Sequence, residues 1–145
     1  TDLCAACTRF AAAVAEMPAE AWPTVVTWRS GRSAPAAHVM WTRLSEVEIH
    51  HVDLDLGYRP ADWNVAFAAR MLRGVAHDFG ERPDGPRVVI RAEDVGPDLP
   101  IGPGVTAPVV CGPAWAAAAW LIGRTRGDGL TVTPDGPLPA VPTWG

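Results

Sequence analysis

The sequence predicts an α+β fold in which a helical half is followed by a small α/β half. Three observations predict it. Residues 34–56 contain no glycine, lying between Gly31 and Gly57, and Pro35 stands only near their start, so a long helix is expected there. Residues 80–87, Gly-Glu-Arg-Pro-Asp-Gly-Pro-Arg, concentrate turn formers and charge and mark a boundary. Beyond that boundary, short β-branched runs flank one apolar, alanine-rich segment, which is the pattern of strands around a buried helix. The expected division is therefore a helical part over residues 1–79 and an α/β part over residues 87–145. A chain of 145 residues accommodates this as one domain or as two small ones.

Taken in order, residues 2–17 read as the first helix, with Asp2 as N-cap and Pro18 just past the end. Leu3, Phe10, Val14 and Met17 form its apolar stripe. Cys4-Ala5-Ala6-Cys7 is a C-x-x-C without the preceding strand of a thioredoxin site or the second pair of a four-cysteine zinc site, so these cysteines are expected to be buried or idle. Residues 19–33 suggest an extended excursion with a turn at Ser30-Gly31, a small hairpin. After the long helix, Tyr58-Arg59-Pro60 turns through Asp62 into a helix over residues 61–79. Val65, Ala68, Ala69, Leu72 and Ala76 give that helix an apolar face, widened by Phe67, Met71 and Val75. In the second half, strands are expected over residues 87–92, 105–111 and 130–133. A helix over 114–122 has Pro113 at its start. Residues 96–104 read as turn. The proline-rich end is expected to be irregular, with Trp144 packing back.

Hydrophobic residues make up 48% of the chain and charged ones 19%, the balance of a folded globular protein. A net charge of -4 with both signs interspersed points away from nucleic acid and anionic membranes. No apolar run approaches the ~20 residues that span a bilayer. The odd count of three cysteines and the lack of a visible signal segment lead to an expectation of a reducing, cytoplasmic setting.

Chemistry concentrates in the long helix. Residues four apart stack on one face, so Glu46 and His50 point the same way, with Arg43 and Asp53 on the same stripe. A Glu and a His so spaced can hold two corners of a zinc-type metal, and can equally form a solvated ion pair. His38 precedes His50 by twelve residues, roughly 18 Å along a helix at ~1.5 Å per residue, and cannot share an ion with it. His51 and Glu48 form a rival pair three apart, on a different face. His77 lies on another helix.

The run Arg-Leu-Ser-Glu-Val-Glu-Ile-His-His-Val-Asp-Leu-Asp-Leu-Gly-Tyr-Arg-Pro-Ala-Asp-Trp, residues 43–63, resembles the metal-ligand helix and following turn of the mycothiol-dependent maleylpyruvate isomerase family. The tail, from Gly-Pro-Ala-Trp-Ala-Ala-Ala-Ala-Trp-Leu-Ile-Gly-Arg through Gly-Leu-Thr-Val to Leu-Pro-Ala-Val-Pro-Thr-Trp, is similar to that family's C-terminal domain. The resemblance implies a partial DinB-like helical bundle followed by a small sterol-carrier-like α/β domain. It implies Zn2+ on a His, a Glu and a second His, the last two being Glu46 and His50. It also implies mycothiol, the sugar-linked cysteine thiol of actinobacteria, as cosubstrate. The family's first ligand, a His on an earlier helix, has no counterpart upstream of Glu46. A companion polypeptide carrying the N-terminal helices, or a second copy of the chain, is therefore expected. A processing event leaving Thr1 as an N-terminal nucleophile is a further reading of the chain start. The family's functional arginine falls in the stretch holding Arg124 and Arg126, where the guanidinium fork suits a substrate carboxylate.

The expected function is a zinc- and mycothiol-dependent isomerase or thiol S-transferase acting on a small electrophilic metabolite such as maleylpyruvate. Partners are that small molecule and mycothiol, with no nucleic acid and no membrane. The alternative is a non-catalytic module that binds a ligand or a protein.

Overall fold

The computed structural model describes residues 2–103 and 107–144 and shows an α+β protein. Two compact units divide inside one helix, Thr1–Val47 and Glu48–Gly145. Among the described residues no helix is long and apolar enough to cross a membrane. Thr1, and with it any nucleophile reading, lies outside the described residues.

In the first unit, α1 (Asp2–Glu16) stops just before Pro18, as expected. Its stripe is not a core: Leu3 is 69% exposed and no residue of α1 is buried. Of the two readings given to Cys4 and Cys7, buried or idle, burial is ruled out: both are exposed. The excursion that follows contains a one-turn 3-10 helix, Ala19–Ala21, and then the predicted hairpin. Its strands β1 (Val25–Thr27) and β2 (Ser33–Pro35) pair antiparallel, with Val26 opposite Ala34. Gly31 has a φ of 84°, the left-handed conformation the turn needs and glycine adopts without strain.

The long helix, α2 (Ala37–Asp53), is shorter than the sequence suggests at both ends. Pro35 is consumed by β2, which delays the start. At the other end Asp55 turns left-handed at φ 53°, and the Leu54 and Asp55 N–H groups close back on His50 O and Val52 O. Those bonds satisfy carbonyls at the helix end before Gly57 is reached.

In the second unit, a 3-10 turn, Pro60–Asp62, precedes α3 (Val65–Gly80). The helix begins four residues later than predicted because the 3-10 turn comes first and Asn64 is the cap: Asn64 Oδ1 accepts from Ala66 N at 2.9 Å. Asp62 instead accepts from Arg59 N at 2.8 Å within the turn. The predicted face is buried at Phe67, Ala68, Ala69, Met71, Leu72, Val75 and Ala76, but Val65, in the first turn, is 62% exposed.

Strand β3 (Val88–Arg91) lies between β4 (Leu99–Ile101) and β5 (Val109–Cys111), and β6 (Thr131–Thr133) closes the other edge. Only β3 and β5 run parallel. β4 corrects the turn reading of residues 96–104: Pro100 sits opposite Val89 on an edge strand, a place where a missing N–H is tolerated. Of the strand expected over 105–111, residues 105 and 106 lie outside the described residues, and Val109–Cys111 forms β5.

Helix α4 (Ala114–Leu121) is apolar all round and almost wholly buried, as such a helix must be. Pro113 occupies its N-cap and has no side-chain acceptor to offer. The carboxylate of Asp94 takes that role, accepting from Ala114 N at 2.9 and 3.2 Å. α3 packs on α4 and on β4, with Leu72, Val75, Phe79, Val88, Ile90 and Val110 at the centre. The irregular end does return to the fold. Trp144 Nε1 donates to Asp78 at 3.3 Å, and Arg82 donates to Thr143 O at 2.9 Å.

Candidate functional site

Glu46 and His50 stand one turn apart on α2, both exposed. The imidazole of His50 is held by a carboxylate: its Nδ1 lies 2.9 Å from Asp53 Oδ2, one turn further on. With Nδ1 committed in this way, a metal would meet the ring at Nε2. Asp53 is in turn gripped by Arg124, whose Nε donates to Oδ1 and Nη2 to Oδ2, each at 2.9 Å. This bidentate fork, reaching from just beyond α4, is the strong form of the Arg–carboxylate bond. Arg124 holds the Asp53 carboxyl below the ordinary aspartate range; partial burial opposes the shift and the His50 contact adds to it. The result is an arginine–aspartate–histidine relay that fixes the ring of His50.

The relay is the arrangement that metal-binding histidines use, a carboxylate on one ring nitrogen setting the tautomer and aim of the other. Glu46 oxygen and His50 Nε2 are suitable donors for zinc in kind. In number they are incomplete. Among the described residues no three His, Cys, Asp or Glu side chains come together in a group that could hold a metal ion.

The rival pair is occupied otherwise. Glu48 accepts a 2.5 Å hydrogen bond from the Tyr58 hydroxyl, and its backbone oxygen accepts from Trp63 Nε1 at 3.4 Å. His51 stacks on the Tyr58 ring, centroids 4.0 Å apart and planes 11° from parallel. This cluster ties the end of α2 to the turn that follows and has a structural purpose. Burial and the Glu48 carboxylate push the Tyr58 hydroxyl up to about 12. Tyr58 is the chain's one tyrosine, so tyrosinate absorbance reads it without interference. We expect a titration midpoint near 12 that Glu48→Gln lowers only in part, because burial is the larger cause. A midpoint at the ordinary value of about 10 would contradict the packing described.

Of the two arginines expected to act, Arg124 belongs to the relay and Arg126 is exposed, with no side-chain partner found among the described residues. Arg124 Nη1 also donates to Ile122 O at 3.0 Å. A guanidinium has five N–H donors, so two of them are not used by these contacts. Arg124 lines a cavity of about 270 Å3 whose other walls include Trp120, Val141, Pro142 and Trp144. Helical spacing places Asp53 on the stripe, but it does not reveal the bond to a residue 71 positions away. His38 meets Trp28 edge-on, ring centroids 6.0 Å apart.

Fold and site define a class: an α+β protein whose helical part presents an oriented histidine and whose α/β part supplies the arginine that orients it. Residues 1–55 match the mycothiol maleylpyruvate isomerase N-terminal domain family. The fold is similar to the crystal structure of the mycothiol-dependent maleylpyruvate isomerase, with a TM-score of 0.82 and 27% identity over 94% of this chain and 56% of that one. A histidine-to-alanine mutant of that enzyme matches at a TM-score of 0.83, with the same identity and coverage. Among curated proteins none matches. The family match thus lies in residues 1–55, and the likeness over the rest of the chain is one of fold to the solved isomerase. It spans little more than half the length of the solved structures it matches.

Proposed function

We propose that this chain carries the ligand helix and the substrate-facing layer of a zinc- and mycothiol-dependent enzyme, an isomerase or thiol S-transferase acting on a small electrophilic acid such as maleylpyruvate. The observation that carries this reading is the relay from Arg124 through Asp53 to His50, which commits one imidazole nitrogen and aims the other. Glu46 and His50 would hold the zinc, with a further ligand from polypeptide outside the described residues. Bound there, zinc supplies the Lewis acidity that makes a coordinated thiol nucleophilic near neutral pH.

The chain's own groups divide the remaining work. The Asp53 carboxylate beside Nδ1 fixes the His50 ring, so that Nε2 would be the nitrogen to hold a metal. Arg124 holds Asp53 ionised and offers its two remaining N–H groups to a substrate carboxylate. The cavity beside it brings the indoles of Trp120 and Trp144 near that guanidinium, a fitting wall for a planar conjugated chain. Arg126, exposed two residues further on, is the second candidate for the carboxylate.

X-ray absorption on the zinc-loaded complete protein tests the reading. At saturating mycothiol the first shell should gain sulfur at about 2.3 Å. Zinc that binds but never gains sulfur sinks thiol activation, and the binding-module alternative then stands in its place.

A further inference from the structure

The first helix carries two groups that the proposed metal chemistry does not use. Cys4 and Cys7 are both exposed, and neither is in a disulfide. They lie three residues apart in the opening turns of α1, on one face, where Cβ atoms are about 5–6 Å apart. A disulfide requires about 3.5–4.5 Å between Cβ atoms, so closure asks for a tightening of only about 1–2 Å. Arg43, from α2 within the same unit, places Nη2 3.8 Å from Cys7 Sγ. A guanidinium beside a sulfur favours its anionic form, which is the nucleophile in disulfide exchange. The third cysteine, Cys111, is half-buried in the sheet of the other unit.

We propose that Cys4 and Cys7 form a redox-active dithiol that reduces the disulfides of small thiols. Cys7 releases its proton to water, and its sulfur attacks one sulfur of the disulfide RSSR. The S–S bond of RSSR breaks, a Cys7–S–S–R bond forms, and RS⁻ leaves to take up a proton. Cys4 then loses its proton and attacks the Cys7 sulfur. The mixed disulfide breaks, the Cys4–Cys7 bond forms, and the second RSH departs. The protein loses two electrons and two protons, and RSSR gains both. Arg43 is a positioning residue for the first step. This activity is independent of the zinc reading, since it uses neither Glu46, His50 nor Asp53.

Oxidised glutathione serves as the probe, with the reduced chain quenched in acid, alkylated and mapped by mass spectrometry. The expected result is two glutathione thiols released per chain, a Cys4–Cys7 peptide lacking two hydrogens, and an alkylated Cys111. Cys4→Ser should stop at a mixed disulfide on Cys7 and form it several-fold faster than Cys7→Ser forms one on Cys4. Arg43→Gln should slow the first step several-fold with the circular dichroism spectrum unchanged. Stable mixed disulfides on both cysteines of the unaltered chain, or a disulfide between chains, would overturn the dithiol. Equal rates in the two serine variants would overturn the order of attack and the role given to Arg43.

Discussion

His50→Ala and Glu46→Gln are each expected to abolish stoichiometric zinc in the complete protein, while His51→Ala largely spares it. His50→Ala removes a donor atom, and Glu46→Gln replaces the anionic carboxylate with a neutral amide that is a poor zinc ligand, so each leaves too few ligands for a tetrahedral ion. The loss should exceed the roughly 10–100-fold that follows from disturbing a ligand's hydrogen-bonding partner. His51 differs because its ring is already committed to stacking on Tyr58, and its neighbour Glu48 to the Tyr58 hydroxyl. Removing His51 therefore costs packing at the end of α2 and leaves the Glu46/His50 face in place. Metal analysis of the three variants decides the matter. A His51 variant without zinc beside a His50 variant that retains it would overturn the assignment.

How much of this is legible in the sequence depends on how far the controlling interaction reaches along the chain. Glu46, His50 and Asp53 share one helix, and helical spacing places them on one stripe with no further information. The preference for Glu46 and His50 over Glu48 and His51 rests on resemblance. What engages the second pair is Tyr58, ten residues from Glu48, beyond a turn whose path periodicity does not describe. Arg124 is legible only as one of two arginines, because its partner is 71 residues earlier in the chain. The fold shows the same limit. β4 is hidden by Pro100, which reads as a breaker but is harmless on an edge. The start of α3 is misplaced because residues 60–62 form a separate 3-10 turn, closed by Asp62 on Arg59 N, and the helix starts only at the Asn64 cap. The cap of α4 is Asp94, twenty residues before Ala114 and invisible to any local rule.

Asp53→Asn and Arg124→Gln should each weaken zinc binding by about 10–100-fold without abolishing it, because they act on the aim of His50 and not on a ligand atom. The amide introduced by Asp53→Asn would still offer one carbonyl oxygen to the His50 Nδ1 proton but no charge. Arg124→Gln leaves the Asp53 carboxylate charged and no longer gripped by its fork. The two changes act on one relay, so the double variant should lose about as much as either alone, not the sum. Acid provides a second readout with a definite sign. The folded state lowers the Asp53 value, chiefly through Arg124, so the relay's stability contribution is fully present above the unfolded value of about 3.9 and disappears as pH falls through the depressed folded value. With Asp53 and Arg124 both partly exposed, at 36% and 28%, that contribution is expected to be about 1 kcal/mol or less. Urea midpoints of the parent and Arg124→Gln chains should therefore differ near neutrality and converge in strong acid. Midpoints that differ equally at every pH would show that Arg124 stabilises by packing alone, and the orienting role assigned to it would fall.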